Sequence, residues 1–292
     1  MTTVVLFGST GFLGRQVKAL LSEDPRVSRL LCPGRAVLDL LAATPDEAAG
    51  LLGAARPSAV LNCVGRLSGG YDELLRGNAT ATAVLIEAIA QSAPRARFVR
   101  LGSAAEYGPV EYGHSVHERD PARPAGAYGI SHLAGSLLVE QAAADGRVDG
   151  ASLRIFNPVG PGISAESVLG RAGDMLRRAV AERTPRIELG PLGAYRDFVD
   201  VRDVAGAIVR AAFVPELAER VINVGSGRAV TVREAVAMQA AQAGFTGEVR
   251  ESAPASVRSA AVGWSRADIR RAWQVLGWQP EYGLGESIKA MA

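Results

Sequence analysis

Three side chains near the middle of the sequence have the chemistry to move a proton onto or off an oxygen. Tyr128 and His132 are four residues apart in a stretch with helical apolar spacing, which places them one turn apart on one helix face. Upstream, an apolar strand that begins at Arg97 stops at a small hydroxyl, Ser103. A tyrosine can protonate a carbonyl oxygen, a serine can hydrogen-bond that oxygen, and a neighbouring histidine can set the tyrosine pKa. We therefore predict that Ser103, Tyr128 and His132 are catalytic.

A glycine loop near the start of the chain predicts a cofactor for such chemistry. An apolar run over residues 4–7 leads into Gly8-Ser-Thr-Gly-Phe-Leu-Gly14 and then into a helical pattern. Strand, glycine loop and helix is the order of a dinucleotide-binding unit: the first glycine allows a tight turn, the second lets the backbone approach a pyrophosphate, and the third lets the helix pack on the sheet. The predicted contacts in this loop are Gly8, Thr10, Gly11, Phe12, Leu13 and Gly14.

The surrounding pattern predicts the elements that position these residues. Apolar strands alternate with helical patterns as far as residue 156, which favours a Rossmann-type α/β fold with a doubly wound parallel sheet. Residues 1–156 form the predicted dinucleotide-binding domain, and part of 195–230 is expected to return to it. The shorter elements that follow predict a smaller C-terminal α/β substrate domain over residues 157–292, interleaved with the first domain.

Composition argues against several classes of protein. The 292 residues are 48% hydrophobic and 21% charged, as in ordinary globular proteins, and no apolar run approaches the ~20 residues that span a bilayer. The net charge of +2 comes from scattered arginines, so nothing indicates a nucleic-acid surface. Neither the two cysteines nor the three histidines have metal-ligand spacing. We expect a cytoplasmic protein with no membrane span, no nucleic-acid partner and no metal.

The motifs together resemble the extended short-chain dehydrogenase/reductase family, also called the NAD-dependent epimerase/dehydratase family. In that family G-x-x-G-x-x-G follows the first strand, as over Gly8–Gly14, and a Ser or Thr precedes Tyr-x-x-x-Lys. Here the lysine position holds His132. The segments Ser103–Gly108 and Arg196–Asp203 look closest to nucleotide-sugar 4-ketoreductases such as the GDP-4-keto-6-deoxymannose reductases, whereas Arg154–Gly160 is similar to UDP-galactose 4-epimerases.

The resemblance implies which residues touch the ligands. The substrate would be a sugar attached to a nucleoside diphosphate, and a nicotinamide cofactor would move a hydride. Beyond the glycine loop and the Tyr128–His132 pair, the implied cofactor contacts are Asp39, Leu40, Val64, Gly65 and Asn78. Arginine forks suit a diphosphate, and the implied substrate contacts are Ser103, Ala104, Asn157, Arg196 and Arg258. The family pairs two long helices per subunit, so the helices predicted over 71–91 and 128–144 imply a homodimer.

The type of cofactor is predicted from the end of the second strand. The apolar segment Val27–Cys32 runs into Pro-Gly-Arg35 and offers no acidic residue there. An acidic residue would bind the ribose hydroxyls of NAD(H), whereas an arginine suits the 2′-phosphate of NADP(H). We therefore favour NADP(H), with NAD(H) as the alternative, and count Arg35 among the cofactor contacts.

His132 bears on the direction of the predicted reaction. A free tyrosine titrates near ~10 and a free histidine near ~6.5, so His132 is expected to be mostly neutral at pH 7. A neutral imidazole stabilises a tyrosinate base poorly, but reduction starts from protonated tyrosine and does not need that base. The sequence therefore predicts a reductase that prefers mildly acidic pH, where imidazolium is populated. Ala104 and Ala105 occupy the positions where dehydratases of the family have Asp and Glu for elimination.

The leading prediction is NADP(H)-dependent reduction of a 4-keto deoxysugar attached to a nucleoside diphosphate. Two alternatives stay open. One is a nucleotide-sugar 4-epimerase, which would keep NAD bound and oxidise its substrate transiently. The other is a cofactor-binding protein without turnover, whose catalytic site is degraded at His132.

Overall fold

A computed structural model describes residues 2–254 and 262–291 of the chain. Its strands are β1 (Thr2–Phe7), β2 (Val27–Leu31), β3 (Ala59–Asn62), β4 (Arg97–Ser103), β5 (Asp149–Ile155), β6 (Pro158–Val159), β7 (Arg186–Leu189), β8 (Tyr195–Asp197), β9 (Val199–Asp200), β10 (Val221–Val224), β11 (Ala229–Thr231) and β12 (Glu248–Glu251). Its α-helices are α1 (Phe12–Glu23), α2 (Pro45–Ala55), α3 (Tyr71–Leu75), α4 (Ala81–Ser92), α5 (Ala127–Ala144), α6 (Val168–Glu182), α7 (Val201–Phe213), α8 (Val232–Gln242), α9 (Arg270–Leu276) and α10 (Leu284–Lys289).

Six of the strands form one parallel sheet, in the order β10-β5-β4-β3-β1-β2. The chain moves outward from β1 in both directions, so the carboxyl ends of β1 and β3 lie side by side where the winding reverses. Sheets of this kind bind their ligands at that reversal, beyond the carboxyl ends of the strands. The predicted Rossmann-type α/β fold is thereby confirmed.

Helices cover both faces of this sheet because its strands are apolar on both sides. In β1, Val4 and Leu6 point to the face covered by α1 and α7, while Val5 and Phe7 point to the face covered by α2, α4 and α5. These four side chains are buried completely or almost so. The strand β1 is therefore held in place by helices on both faces of the sheet, and the loop that follows it begins at a rigid element.

A smaller apolar cluster lies outside the main sheet, in the second half of the chain. It contains Leu176 of α6, Ile187 of β7 and Val236 of α8, all of them buried. Three two-stranded sheets belong to this half: β7 pairs with β12 and β6 with β9 in parallel, and β8 pairs with β11 antiparallel. The chain also returns to the main sheet, since β10 pairs with β5 and α7 packs against α1.

The helix expected over Tyr71–Gln91 is interrupted by a π-helical turn at Arg76–Thr80, which separates α3 from α4. Two contacts hold this wider turn. Gly77 packs against the Arg66 side chain, where a Cβ atom would come within 2.9 Å of it. The Asn78 side chain forms two hydrogen bonds to the main chain of Arg66: its nitrogen donates to the carbonyl at 3.0 Å, and its oxygen accepts the N–H at 2.8 Å. Turns of this kind are frequent at functional sites.

The stretch Ser265–Gly277 has a helical pattern in the sequence, which predicts a helix over it, but the observed helix begins only with α9. The residues described before it, 262–269, are not helical, and Ala267 forms a parallel bridge with Val116. The carboxylate of Asp197 accepts the Ala267 N–H at 2.9 Å. An amide that donates to a distant element is unavailable for a local helical turn, so tertiary pairing overrides the helical pattern of the sequence here.

Candidate functional site

Ser103 ends β4 and begins a short 3₁₀ turn over Ala104–Glu106. Its Oγ accepts the main-chain N–H of Ala105 at 3.2 Å, and its own N–H donates to the Glu106 carboxylate at 2.9 Å. The hydroxyl thus uses a lone pair to hold the turn and keeps its proton for another acceptor. A half-buried hydroxyl held in this way can donate to a substrate carbonyl oxygen.

Glu106 fastens this turn to two neighbouring elements. Its carboxylate is fully buried, and Oε2 accepts Nε of Arg154 in β5 at 2.7 Å and Oγ of Ser136 in α5 at 2.8 Å. The Arg154 guanidinium also lies over the Tyr107 ring, 4.6 Å from its centroid. Breaking a buried ion pair by removing one partner costs about 3–5 kcal/mol, because the other charge is left unpaired. The turn that carries Ser103 is therefore rigid, through an ion pair that the sequence alone did not reveal.

Tyr128 lies in the first turn of α5, which packs directly against the Ser103 turn. The next residue, Gly129, is buried at this contact, and a Cβ atom on it would collide with the main-chain carbonyl of Ala105. Only a residue without a side chain permits so close an approach. The rings of Tyr128 and His132 meet edge to face, with 4.6 Å between their centroids. The structure thus brings the three candidate catalytic side chains to one place.

His132 is buried, with 7% of its surface exposed, and Arg100 lies beside it. One guanidinium nitrogen is 3.3 Å from Nδ1 of the imidazole. Burial, followed by the Arg100 charge, holds the pKa of His132 well below its usual value of 6.5, while the Leu101 carbonyl acts in the opposite direction. The neutral ring expected at pH 7 is confirmed. The expectation that imidazolium is populated at mildly acidic pH is wrong, because a buried ring beside a fixed cation resists a second charge.

The glycine loop has the shape that a dinucleotide requires. Gly8 has a φ of +76°, and a Cβ atom on it would come within 2.7 Å of the Cys63 main chain. A Cβ atom on Gly14 would collide with the Gly8 carbonyl, so α1 begins in contact with the loop. Gly11 is exposed at the start of α1, where no side chain caps the helix. First-turn amides without a side-chain cap suit a phosphate, and the residues present therefore fit a pyrophosphate.

The other predicted cofactor contacts lie in the loop after β2, beyond β3 and in the π turn. Val64 and Gly65 follow β3, and a Cβ atom on Gly65 would be 3.1 Å from the side-chain oxygen of Asn78. Asn78 is buried and also donates to Oγ of Ser131 in α5 at 3.0 Å, so it links this edge to the helix that carries the tyrosine. Leu40 is buried in the core. The remaining predicted cofactor contacts are exposed or half-buried: Thr10, Phe12 and Leu13 in the glycine loop and at the start of α1, and Arg35 and Asp39 after β2.

Among the predicted substrate contacts, Arg196 is buried in β8. Its NH1 donates to the Tyr195 carbonyl at 2.8 Å, and burial lowers its pKa. A cation desolvated in this way gains from an anionic ligand. The Asn157 amide donates to the Asp197 carbonyl at 3.0 Å, so it also joins the end of β5 to β8. Arg258 lies outside the described residues.

The two loop histidines are engaged in local contacts. Nε2 of His114 lies 2.6 Å from the Asp120 carboxylate, and Nδ1 of His117 accepts the Arg119 N–H at 3.1 Å. Among residues 2–254 and 262–291, no group of three His, Cys, Asp or Glu side chains is arranged to hold a metal ion. Within those same ranges, no helix has the length and apolar character needed to cross a membrane.

Comparison with known proteins gives one consistent set of relatives. A family model described as "NAD dependent epimerase/dehydratase family" matches residues 4–225. The chain is 36% identical to dTDP-6-deoxy-L-talose 4-dehydrogenase (NAD(P)(+)) of Kitasatospora kifunensis, over 99% of this chain and 94% of that protein. It is 31% identical to GDP-6-deoxy-D-mannose reductase of Pseudomonas aeruginosa, over 97% and 94%. The structure of RMD from Pseudomonas aeruginosa complexed with NADPH matches with a TM-score of 0.85 at 26% identity, over 99% of this chain and 96% of that one.

The burial of His132 leads to a prediction about its titration. With the other two histidines removed as His114→Gln and His117→Gln, we expect the ring ¹⁵N signals of neutral imidazole to persist well below the usual histidine pKa of 6.5. The unfolded chain binds a proton on this residue below about pH 6.5 and the folded chain does not, so the free energy of unfolding should fall as the pH drops below 6.5. His132→Asn should remove that component. Imidazolium signals near pH 6 in the folded protein would contradict this result.

Proposed function

The chain belongs to the NAD dependent epimerase/dehydratase family, the extended short-chain dehydrogenases/reductases, and from that premise we propose that it reduces the 4-keto group of a deoxysugar attached to a nucleoside diphosphate. One observation carries the proposal. Ser103 and the Tyr128 helix are held against each other at the end of β4, in the same sheet that carries the glycine loop. The two curated relatives are named as a dehydrogenase and a reductase of 6-deoxy sugars linked to dTDP and GDP.

Each residue of the site has a defined task in such a reduction. NADPH, when bound, supplies the hydride that adds to the carbonyl carbon. The Ser103 hydroxyl donates a hydrogen bond to the carbonyl oxygen, and the Tyr128 hydroxyl transfers its proton to that oxygen as negative charge develops there. His132 stays neutral and positions the tyrosine ring that it contacts. In the reverse direction, a tyrosinate at position 128 takes the proton from the sugar hydroxyl.

Three other functions can be weighed against this one. A 4-epimerase would oxidise and re-reduce its substrate on a bound NAD, so it would consume no cofactor overall. A dehydratase needs acidic groups beside the serine, and this chain has Ala104 and Ala105 there. A cofactor-binding protein without turnover has no need for a rigid hydroxyl pair. The buried ion pair at Glu106 and the tight contact at Gly129, which hold that pair, favour a catalytic site.

Turnover by the purified chain separates these functions. We expect NADPH to be oxidised with a panel of 4-keto-6-deoxy sugars linked to dTDP, GDP or UDP. Tyr128→Phe should lower kcat by about 10²–10⁴-fold because the proton donor is gone. Tyr282→Phe, whose ring still stacks on Arg202, is the matched control and should keep its activity. Tightly held NAD without net consumption would identify an epimerase, and NADPH binding without any turnover would support the non-catalytic alternative.

Preference for NADP(H) is proposed to rest on Arg35, which is exposed after β2. Arg35→Asp should raise the Kd of NADPH by about tenfold or more, since a charge-assisted contact worth about 1.5–3 kcal/mol becomes a repulsion. The Kd of NADH should change little. Arg29→Asp makes the same charge change at an exposed position of β2 and is the control. Equal losses for both cofactors would show that Arg35 does not bind a 2′-phosphate.

The substrate diphosphate is proposed to bind Arg196, Arg258 and Asn157. Arg196→Ala should raise the substrate KM by about ten- to a hundredfold, because a charge-assisted contact is lost, and should leave the Kd of NADPH unchanged. Arg177→Ala removes a guanidinium that pairs only locally on α6 and serves as the control. Unchanged KM values for both Arg196→Ala and Arg258→Ala would exclude this mode of binding.

Dimerisation is proposed through α3 and α5, which pack beside each other. Large apolar side chains are exposed on both helices: Tyr71 and Leu75 on α3, Leu137 and Leu138 on α5. Burying them against a second copy would remove apolar surface from water, and a twofold dimer uses the same patch on both subunits. Light scattering tests this proposal, and a single-chain mass at micromolar concentration would contradict it.

A cytoplasmic location is proposed from the same chemistry. NADPH and nucleotide sugars are highly charged metabolites that do not cross membranes unaided, so the enzyme should work where both are made. Cys32 and Cys63 are free thiols, as is usual in a reducing compartment. Fractionation of cells that produce the chain tests this location, and recovery of the protein outside the cytoplasmic fraction would contradict it.

A further inference from the structure

Arg100, in the middle of β4, is the largest fully buried side chain among residues 2–254 and 262–291, with 1% of its surface exposed. A guanidinium in a central strand is costly unless its N–H groups find acceptors. The acceptors are close: NH1 donates to the His132 carbonyl at 3.1 Å, Ser136 Oγ at 2.9 Å and Ser152 Oγ at 3.0 Å. NH2 donates to the Asn78 carbonyl at 3.1 Å and lies 3.3 Å from Nδ1 of His132.

The surroundings are shaped for this guanidinium. Gly135 of α5 lies directly against it, where a Cβ atom would come within 2.7 Å of Cζ of Arg100 and 2.5 Å of the Asn78 carbonyl. That carbonyl belongs to the π turn between α3 and α4. Any larger residue at position 135 would push the guanidinium or the turn away. Groups from β5, α5 and the π turn thus converge on this cation of β4.

The cation has no carboxylate of its own in the described part of the chain. Arg100 reaches Glu106 only through the Ser136 hydroxyl, and Glu106 is already paired with Arg154 at 2.7 Å. Two guanidinium groups and the Glu106 carboxylate therefore share this interior, and Glu140, a half-buried carboxyl on α5, is attracted to Arg154 as well. Burial lowers the pKa of Arg100 to about 10, attraction to Glu106 and Tyr128 opposes that shift, and repulsion from Arg154 adds to it. The guanidinium is still charged at neutral pH.

The contact between Arg100 and His132 also determines which ring nitrogen carries the proton. A guanidinium can only donate hydrogen bonds, so Nδ1 of His132 is the acceptor. The proton of the neutral imidazole then lies on Nε2. The ring that contacts Tyr128 is therefore held in one tautomer, with a fixed cation behind it.

We propose that Arg100 is a positioning residue of the catalytic site: its buried guanidinium supplies the fixed positive charge that stabilises a Tyr128 tyrosinate, and it holds His132 as the Nε2–H tautomer between them. The catalytic part of this role rests on the proposed function, whereas the effects on the Tyr128 pKa and on the His132 tautomer concern groups of this chain alone. Histidine at the family's lysine position then does not remove the charge from the site. The charge resides on a different residue, and it supports proton removal from a sugar hydroxyl as well as proton donation.

Titration of Tyr128 tests this role without any substrate. Tyrosinate absorbance is recorded against pH for each protein and for its Tyr128→Phe counterpart, so that the difference isolates this tyrosine. Arg100→Met should raise the pKa of Tyr128 by about one unit or more, because a neighbouring cation is removed. Arg97→Met removes a guanidinium from the amino end of the same strand, where Asp149 pairs with it at 2.6 Å, and should leave the Tyr128 titration unchanged.

Moving the charge gives an independent test. In the unmodified protein, His132→Lys places an ammonium beside the guanidinium, and like charges in a buried space should lower Tm and bring no gain in oxidative kcat. In the Arg100→Met background, the same His132→Lys should return the Tyr128 pKa to within about half a unit of the unmodified protein. A reversal of this kind is not expected of an arginine that only supports the fold.

The role is overturned if Arg100→Met leaves the Tyr128 titration unchanged, or if His132→Lys has the same effect in both backgrounds. Should Arg100→Met fail to fold, Arg100→Lys keeps the charge: Tyr128 should then titrate within about half a unit of the unmodified protein. A larger shift would contradict the proposal.

Ring ¹⁵N NMR of the unmodified protein should show the Nε2–H tautomer of His132, and a mixture of the two tautomers would also overturn the proposal. A protein that shows the titration shifts but reduces no keto sugar contradicts the proposed function alone.

Discussion

A positive charge in the interior must be surrounded by acceptors, and in this protein that requirement organises the site. The Arg100 guanidinium occupies a position in β4 that an apolar side chain would fill at lower cost. Its acceptors come from three separate elements, α5, β5 and the π turn, and a glycine at position 135 gives it room. Once all these groups are in place, α5 can take only one position relative to β4. The same geometry aligns Tyr128 with the end of that strand.

The main sheet and the second half of the chain are joined by a second buried ionisable group, Asp197. Burial raises its pKa, against the hydrogen bonds that it accepts from Ser226, Gly227 and Ala267. These bonds tie β8 to the loop after β10, a strand of the main sheet. Arg196 is the neighbouring residue in β8 and is therefore held at a fixed place relative to the sheet. The proposed sites of proton transfer and diphosphate binding then share one rigid frame, so that little reorganisation would be needed during the proposed reaction.

Local patterns in the sequence were enough to predict the fold class, the tight turn of the glycine loop and the contact between Tyr128 and His132. The reason is that each depends on short-range physics: the two periods of strand and helix, the conformational freedom of Gly8, and the four-residue turn that joins Tyr128 to His132. The same patterns misjudged two helices. The apolar periodicity of residues 71–91 did not reveal the π turn at Arg76–Thr80. The residues with a helical pattern before α9 instead form a bridge with Val116, far away in the sequence.

The state of His132 was decided by the tertiary structure alone. Its spacing from Tyr128 predicted the contact, but its protonation depends on Arg100, which lies 32 residues away in sequence and reaches it only when β4 and α5 pack together. The Glu106–Arg154 pair is equally invisible in the sequence, since Glu106 lies in the turn after β4 and Arg154 lies 48 residues later, near the end of the neighbouring strand β5. A pKa reflects the charges and the solvent within several ångströms in space. Such neighbours are brought together by folding, and residue spacing along the chain carries no record of them.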